Sequence, residues 1–158
     1  MNDIYLYKKN SPAPNNSYFL MAFPERKSFA LSSLGYMWLY KIAGTHEGIN
    51  AEMVCTDYIP DVSINKTIAI SFSMSFDFDF TGAFEILEKL KIPIWAKERN
   101  ENMPLVFAGG AVITTNPEPY KEFFDFMIIG DGEEIADEIT EVYIKNKNKP
   151  KQQILKEL

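Results

Sequence analysis

Strands alternating with helices along this 158-residue chain predict an α/β fold, with a three-layer, Rossmann-like or flavodoxin-like parallel sheet of about five strands. Three observations carry that expectation. Short, continuous apolar runs recur, as they do in strands covered on both faces. Most are separated by stretches whose apolar residues return at helical spacing. Glycine and proline mark the junctions. Parallel neighbours joined through helices require right-handed crossovers, and these place helices on the faces of the sheet.

Residues 1–17 read as a flexible polar arm, ending in Asn10-Ser11-Pro12-Ala13-Pro14-Asn15-Asn16-Ser17. Tyr18 to Phe23 (YFLMAF) is the first strand, stopped by Pro24. A helix is expected from Ser28 to Gly44, with Leu34, Met37, Trp38 and Ile42 as its apolar stripe. Asn50 to Thr56 is the second strand, and Thr67 to Ser73 (TIAISFS), rich in β-branched residues, the third. The next helix runs from about Asp79 to Lys91, buries Phe80, Phe84, Leu87 and Leu90, and is barred from continuing by Pro93. Pro104 to Ala108 (PLVFA) is the fourth strand and ends on Gly109-Gly110. A short helical segment around Tyr120 to Phe124 precedes the fifth strand, Phe126 to Ile129, which meets Gly130-Asp131-Gly132 at once. The last helix spans Glu133 to about Lys145 and buries Ile135, Ile139 and Val142. The α/β domain is therefore expected over residues 18–145. Residues 146–158 read as a basic, proline-containing linker running into a helix that is cut short, which suggests a longer protein.

Composition narrows the chemistry. Apolar residues make up 46% of the chain, enough for one packed core. A net charge of −6 leaves no broad basic face for a phosphate backbone, so nucleic acid is not an expected partner. No apolar run approaches the roughly 18–20 residues that span a bilayer, and MNDIYLYKKN lacks the plan of a signal peptide. These features suit the cytoplasm. Cys55 is the only cysteine and His46 the only histidine. A His/Cys zinc site or an iron–sulfur site cannot be built from this segment alone, and no catalytic residue is assigned within it.

Ligands of such sheets bind beyond the carboxyl ends of the strands. Four loops meet that edge: Pro24 to Ser28, Ser73 to Asp77, Gly109 to Glu118 and Gly130 to Glu134. Gly109 and Gly110 serve either a tight turn or the close approach of a ligand to the main chain. Beside them, Thr114, Thr115 and the stiff Asn116-Pro117-Glu118-Pro119 run favour the second use. In Gly130-Asp131-Gly132-Glu133-Glu134, Asp131 can cap the last helix with Glu134 in the capping-box position; the alternative is a polar contact to a ligand or a neighbouring domain. Three carboxylates at a helix start make a poor phosphate cradle, which argues against an ordinary dinucleotide loop. The candidate cofactor-binding residues are thus Ser73, Gly109, Gly110, Asn116, Glu118, Gly130, Asp131, Gly132 and Glu133. Arg26 and Lys27 can hold an anion or simply be solvated. Phe76, Phe78 and Phe80, interleaved with Asp77 and Asp79, read as core and cap. Cys55 reads as an inert buried thiol, and His46 as a solvated partner of a helix end.

The segments FPERKSFALSSLGYMWLY (23–40), 71–134 and ILKEL (154–158) resemble the N-terminal domain of a group of radical SAM proteins, in which a cobalamin-binding-like Rossmann domain precedes the radical SAM barrel. The resemblance is strongest at Gly-Gly…Asn-Pro-Glu-Pro, at Phe-Phe-Asp before the fifth strand, and at Gly-Asp-Gly-Glu-Glu. It implies a full-length radical SAM enzyme with a [4Fe–4S] cluster on a CxxxCxxC motif that cleaves S-adenosylmethionine. That motif would lie beyond Leu158, so this part is not expected to be catalytic alone, and its partner is the downstream barrel. The resemblance also implies cobalamin, usually with an axial histidine in a Asp-x-His-x-x-Gly motif after the first strand. Here that loop reads Pro24-Glu25-Arg26-Lys27-Ser28-Phe29-Ala30, without histidine. Cobalamin would then be held by backbone contacts from Ser73, Gly109, Gly110 and Gly130. A degenerate domain that only docks on the barrel, and an independent flavodoxin-like flavin or nucleotide module, remain the alternatives.

Overall fold

Ser17–Phe23 forms strand β1 in the interior of the sheet, because its residues are apolar toward both faces. In the computed structural model, which describes residues 13–146 and 149–158, five parallel strands stand in the order β2-β1-β3-β4-β5. β2 is Ile49–Cys55, β3 Thr67–Ser73, β4 Leu105–Gly109 and β5 Phe126–Met127. Every pair in the ladder is parallel. The expected three-layer α/β architecture is the observed one, and its order is that of the flavodoxin-like fold.

Alternation along β1 separates two cores. Phe19, Met21 and Phe23 face one side, where they meet Tyr36, Tyr40, Ile139 and Tyr143. Leu20 and Ala22 face the other and join Ile70, Phe72, Ala83, Ile86 and Ile113. The chain after β1 makes a single turn, α1 (Lys27–Ala30), before α2 (Leu34–Thr45). α2 lies beside α5 (Gly132–Asn146) on the first face. α3 (Asp79–Lys89) and the short α4 (Ala111–Thr115) cover the second.

The one helix expected over Ser28 to Gly44 is therefore two. Ser33 interrupts it, and its Oγ accepts from the Tyr36 N–H at 3.4 Å, restarting the helix as an N-cap. The restart rotates the buried stripe. Leu34 is 83% and Trp38 49% exposed, while Tyr36 and Tyr40 are buried and stacked. The Tyr36 hydroxyl donates to the Met21 carbonyl at 2.7 Å.

α3 ends as its sequence requires. Lys91 takes a left-handed conformation (φ 58°), its N–H donates to the Glu88 carbonyl, and the Ile92 N–H reaches the Leu87 carbonyl at 2.9 Å. This is a Schellman ending, with Pro93 beyond it. Phe80 and Phe84 are only half-buried, and they pack edge-on to each other rather than filling the core. Gly82 faces the exit of β1, where an added Cβ would overlap the Pro24 carbonyl oxygen. The helix thus lies directly on backbone.

Further differences are local. The fifth strand stops at Met127, although the Ile128 N–H still reaches the Ala108 carbonyl. The short helix expected around Tyr120 to Phe124 is a 3₁₀ turn at Glu118–Tyr120. Residues 13–16, read as the end of the arm, are pinned. Asn50 is buried, its Oδ1 accepts from the Ala13 N–H and the Asn16 side chain, and its amide donates to the Ala13 carbonyl. Ser17, also read as arm, is the first residue of β1, and residues 1–12 lie outside the described residues. Lys151–Ile154 forms a one-turn α6 that buries Ile154 in the core of the first face.

A charged cluster sits at the foot of β4 and β5. The Asp125 carboxylate accepts from the Val106 N–H at 2.7 Å, with Lys151 Nζ at 3.0 Å and Arg99 Nε at 3.5 Å. Neither cation directs a hydrogen bond from those atoms, so the contacts are ion pairs in a buried setting. The rest of the Arg99 guanidinium caps the Pro93, Ile94 and Phe123 carbonyls.

Candidate functional site

Three loops leaving the carboxyl ends of β3, β4 and β5 are knitted together by main-chain and hydroxyl contacts. The Met74 N–H donates to the Gly109 carbonyl at 2.8 Å, and the Val112 N–H to the Met74 carbonyl at 3.3 Å. Gly110 sits between them at φ 108°, and a Cβ there would lie 2.5 Å from the Met74 carbonyl oxygen. Only glycine satisfies both the angle and the approach. The Thr114 hydroxyl accepts from the Gly130 N–H at 3.0 Å, tying the loop after β4 to the one after β5. Asp79 is buried, and its Oδ2 accepts from the Ser75 and Phe76 N–H groups at 2.6 and 2.9 Å, which fixes the loop after β3.

These loops rim a cavity of about 490 Å³ between the sheet and the α2–α5 layer. That volume is within the roughly 300–1,000 Å³ of small-molecule sites. Its floor is Phe19 and Met21 of β1, Ser71 of β3 and Phe107 of β4. Tyr36, Leu39 and Ala43 of α2 and Ala136, Ile139 and Thr140 of α5 close it from above. The inner polar groups are already engaged. The Tyr36 hydroxyl donates to Met21 O, the Thr140 hydroxyl to Ala136 O at 2.7 Å, and the Ser71 hydroxyl to Met21 Sδ at 3.2 Å. The interior therefore presents an apolar, partly aromatic surface. Among the described residues, free polarity lies at the rim, at Ser73, Asp131 and the glycine main-chain groups other than the Gly109 and Gly110 carbonyls and the Gly130 N–H, which Met74 and Thr114 already hold.

The cavity gathers Ser73, Gly109, Gly110, Gly130, Asp131 and Gly132 of the residues singled out by sequence. Asn116 faces a second, smaller cavity on the other side of α4. Glu118 is in neither, and its carboxylate pairs with Lys121 at 2.9 Å on the surface. The side chains of Glu133 and Glu134 lie outside the described residues. Lys27 is held by its neighbours, with its N–H on Asp57 at 2.7 Å and its ammonium over the Tyr58 ring. Phe76 and Phe78, read as core, are 73% and 80% exposed, because the Asp79 turn throws them outward. His46 is not solvated as expected. Its Nε2 lies 2.8 Å from Asp137 Oδ1, away from the cavity lining.

Cys55 is buried at the end of β2. Burial first, then the nearby Asp57 carboxylate, pushes its thiol up to about 12 against the opposing pull of Lys27. The neutral thiol therefore favours the folded state at ordinary pH, and that contribution is lost only as pH rises from the usual thiol range through about 12. At pH 8, labelling of the native protein by a thiol reagent is expected to run at least about a thousandfold slower than in denaturant. Comparable rates in the two conditions would contradict this placement.

The geometry so far defines a doubly wound α/β domain with a cofactor-sized cavity at its carboxyl edge. Residues 51–158, well over half of the chain, match the family described as radical SAM proteins, N-terminal. The chain belongs to that family. No curated protein matches it. Among the described residues, no helix is long and apolar enough to cross a membrane.

Proposed function

We propose that this domain is a cobalamin-binding-like accessory module of a radical SAM protein, which holds its cofactor at the carboxyl edge against the downstream barrel. The observation that carries the reading is the apolar cavity under that edge. A domain that only docks has no use for 490 Å³ of lined space beneath glycine-rich loops. Aromatic walls from Phe19, Tyr36 and Phe107 suit the flat base of a nucleotide-like tail. Ser73, Gly109, Gly110 and Gly130 would hold the cofactor's edge through main-chain contacts, with Asp131 and Gly132 at the rim. Cobalamin, when bound, supplies an alkyl group or an electron carried at cobalt. None of the edge loops carries a histidine, so the protein's part is to bind, orient and shield, leaving cobalt without a side-chain ligand from this domain. The iron–sulfur cluster and S-adenosylmethionine belong to the barrel in this reading.

The docking-only alternative has its own support. Phe29, Leu31, Leu34, Phe76, Phe78 and Ile129 stand exposed on loops and helix starts around the same edge. Such a patch on a soluble surface marks a contact site. Titrating the chain with hydroxocobalamin separates the two. The cofactor reading expects saturable binding, with an absorption spectrum that lacks histidine coordination. Ala136→Phe, which fills the cavity from α5, is expected to weaken binding more than tenfold while the fold is kept. Absence of binding by the unaltered chain, or equal binding by the filled variant, leaves the docking module.

A further inference from the structure

On the α3 side of α4 lies the second cavity, of about 260 Å³, which the proposal above leaves unused. Ala111 and Thr115 line both cavities, so α4 is the partition between them. Its remaining polar lining is Ser75, Asp77, Asn116 and Tyr120. The Thr115 hydroxyl is occupied, donating to the Ala111 carbonyl at 2.8 Å, and the Ser75 N–H is held by Asp79. Tyr120 is only 8% exposed, yet its hydroxyl makes no hydrogen bond among the described residues. The ring is buried, but the hydroxyl stays open to the cavity it lines and is free to bond a guest there. Burial first, then Asp77 and Asp79, pushes it up, so it stays a donor.

The four available groups differ in kind. The Asp77 carboxylate accepts only, the Tyr120 phenol donates, and the Asn116 carboxamide and the Ser75 hydroxyl do both. An anionic ligand would face Asp77 and the buried Asp79. An apolar ligand would leave the phenol and the carboxylate desolvated and unpaired. A primary carboxamide matches the set, with its NH₂ toward Asp77 and its carbonyl toward Tyr120. We propose that this cavity is a second anchoring point for a carboxamide arm of the same ligand whose tail enters the larger cavity. The inference rests on the cofactor reading, since a corrin carries such arms around its rim and is broad enough to straddle α4.

Calorimetric titration with three probes tests it: cobalamin, cobinamide (the corrin with its arms but no nucleotide tail) and α-ribazole (the tail nucleoside alone). Asp77→Ala is expected to weaken cobalamin and cobinamide about tenfold and leave α-ribazole unchanged, as loss of one charge-assisted hydrogen bond would. Asp77 is exposed, so its removal does not threaten the fold. Tyr120→Phe keeps the ring and removes only the hydroxyl, and it is expected to give a smaller loss on the same two probes. Unchanged cobinamide affinity in both variants, or an equal loss on α-ribazole, overturns this site while leaving the cofactor reading intact. If the unaltered chain binds none of the three probes, both fall together.

Discussion

Gly82→Ala is expected to destabilise the domain at or above the roughly 1–3 kcal/mol typical of an overpacked core, seen as a lower urea midpoint. Helix propensity alone predicts the opposite sign, since alanine is the better helix former by about 1 kcal/mol. Sterics decide the contest. The added carbon meets the carbonyl of Pro24, which is backbone just past the end of β1 and cannot swing away as a side chain would. Gly35 supplies the control, because it lies in α2 with nothing within 4 Å of a built Cβ. Gly35→Ala is expected to be neutral or stabilising by up to about 1 kcal/mol. Equal behaviour of the two variants would mean that α3 does not sit on β1 as described. The effect reaches function because α3 also carries Asp79, whose carboxylate holds the loop beside both cavities.

Asp125→Ala is expected to cost about 3–5 kcal/mol, the usual penalty for breaking a buried ion pair from one side. Among the described residues, it strips Arg99 and Lys151 of their only buried counter-charge, and it takes the acceptor from the Val106 N–H at the start of β4. Lys151→Met alone should be much milder, since it removes one cation from a cluster that holds two against one carboxylate. Combining the two changes should recover part of the loss, because fewer unpaired charges are left buried. Additive losses in that cycle, measured by denaturant unfolding, would show that Lys151 and Asp125 do not interact. Arg99 resists replacement for a different reason, as its other nitrogens cap carbonyls of two separate loops.

The strands were legible because most of the runs are apolar and end on proline, glycine or a turn, whereas their order in the sheet, which separates a flavodoxin-like from a Rossmann-like arrangement, was not. The edge glycines were legible as well, since Gly109-Gly110 and Gly130 follow strands directly and only their φ values remained to be seen. The phase of α2 was not. Leu34 and Trp38 share one face of α2 as the spacing implies, but the helix that restarts at Ser33 turns the neighbouring Tyr36–Tyr40 face to the sheet, and aromatic residues with a polar tip are weaker markers of burial than leucine. The exposed Phe76 and Phe78 escaped for a related reason: a composition that reads as core was turned outward by one buried aspartate. Asp125 was visible only as part of a Phe-Phe-Asp string. Its partners come from 26 residues on either side, at Arg99 and Lys151, a separation that no local pattern encodes. Gly82 looks like an ordinary flaw in a helix until Pro24 is placed beneath it.

The shortness of β5 bears on timing. β1 is hydrogen-bonded along both edges, whereas β5 adds only Phe126 and Met127 to the ladder. Opening free energies therefore fall from the centre of the sheet toward that edge. The large cavity has its floor on the slow-exchanging strands and part of its rim on residues 128–132, just past the fast one. A bulky guest can be admitted by a fluctuation of that margin while the rest of the sheet stays closed. Under the cofactor reading, rates of admission and escape would follow that two-residue ladder, and affinity the stiffer walls behind it.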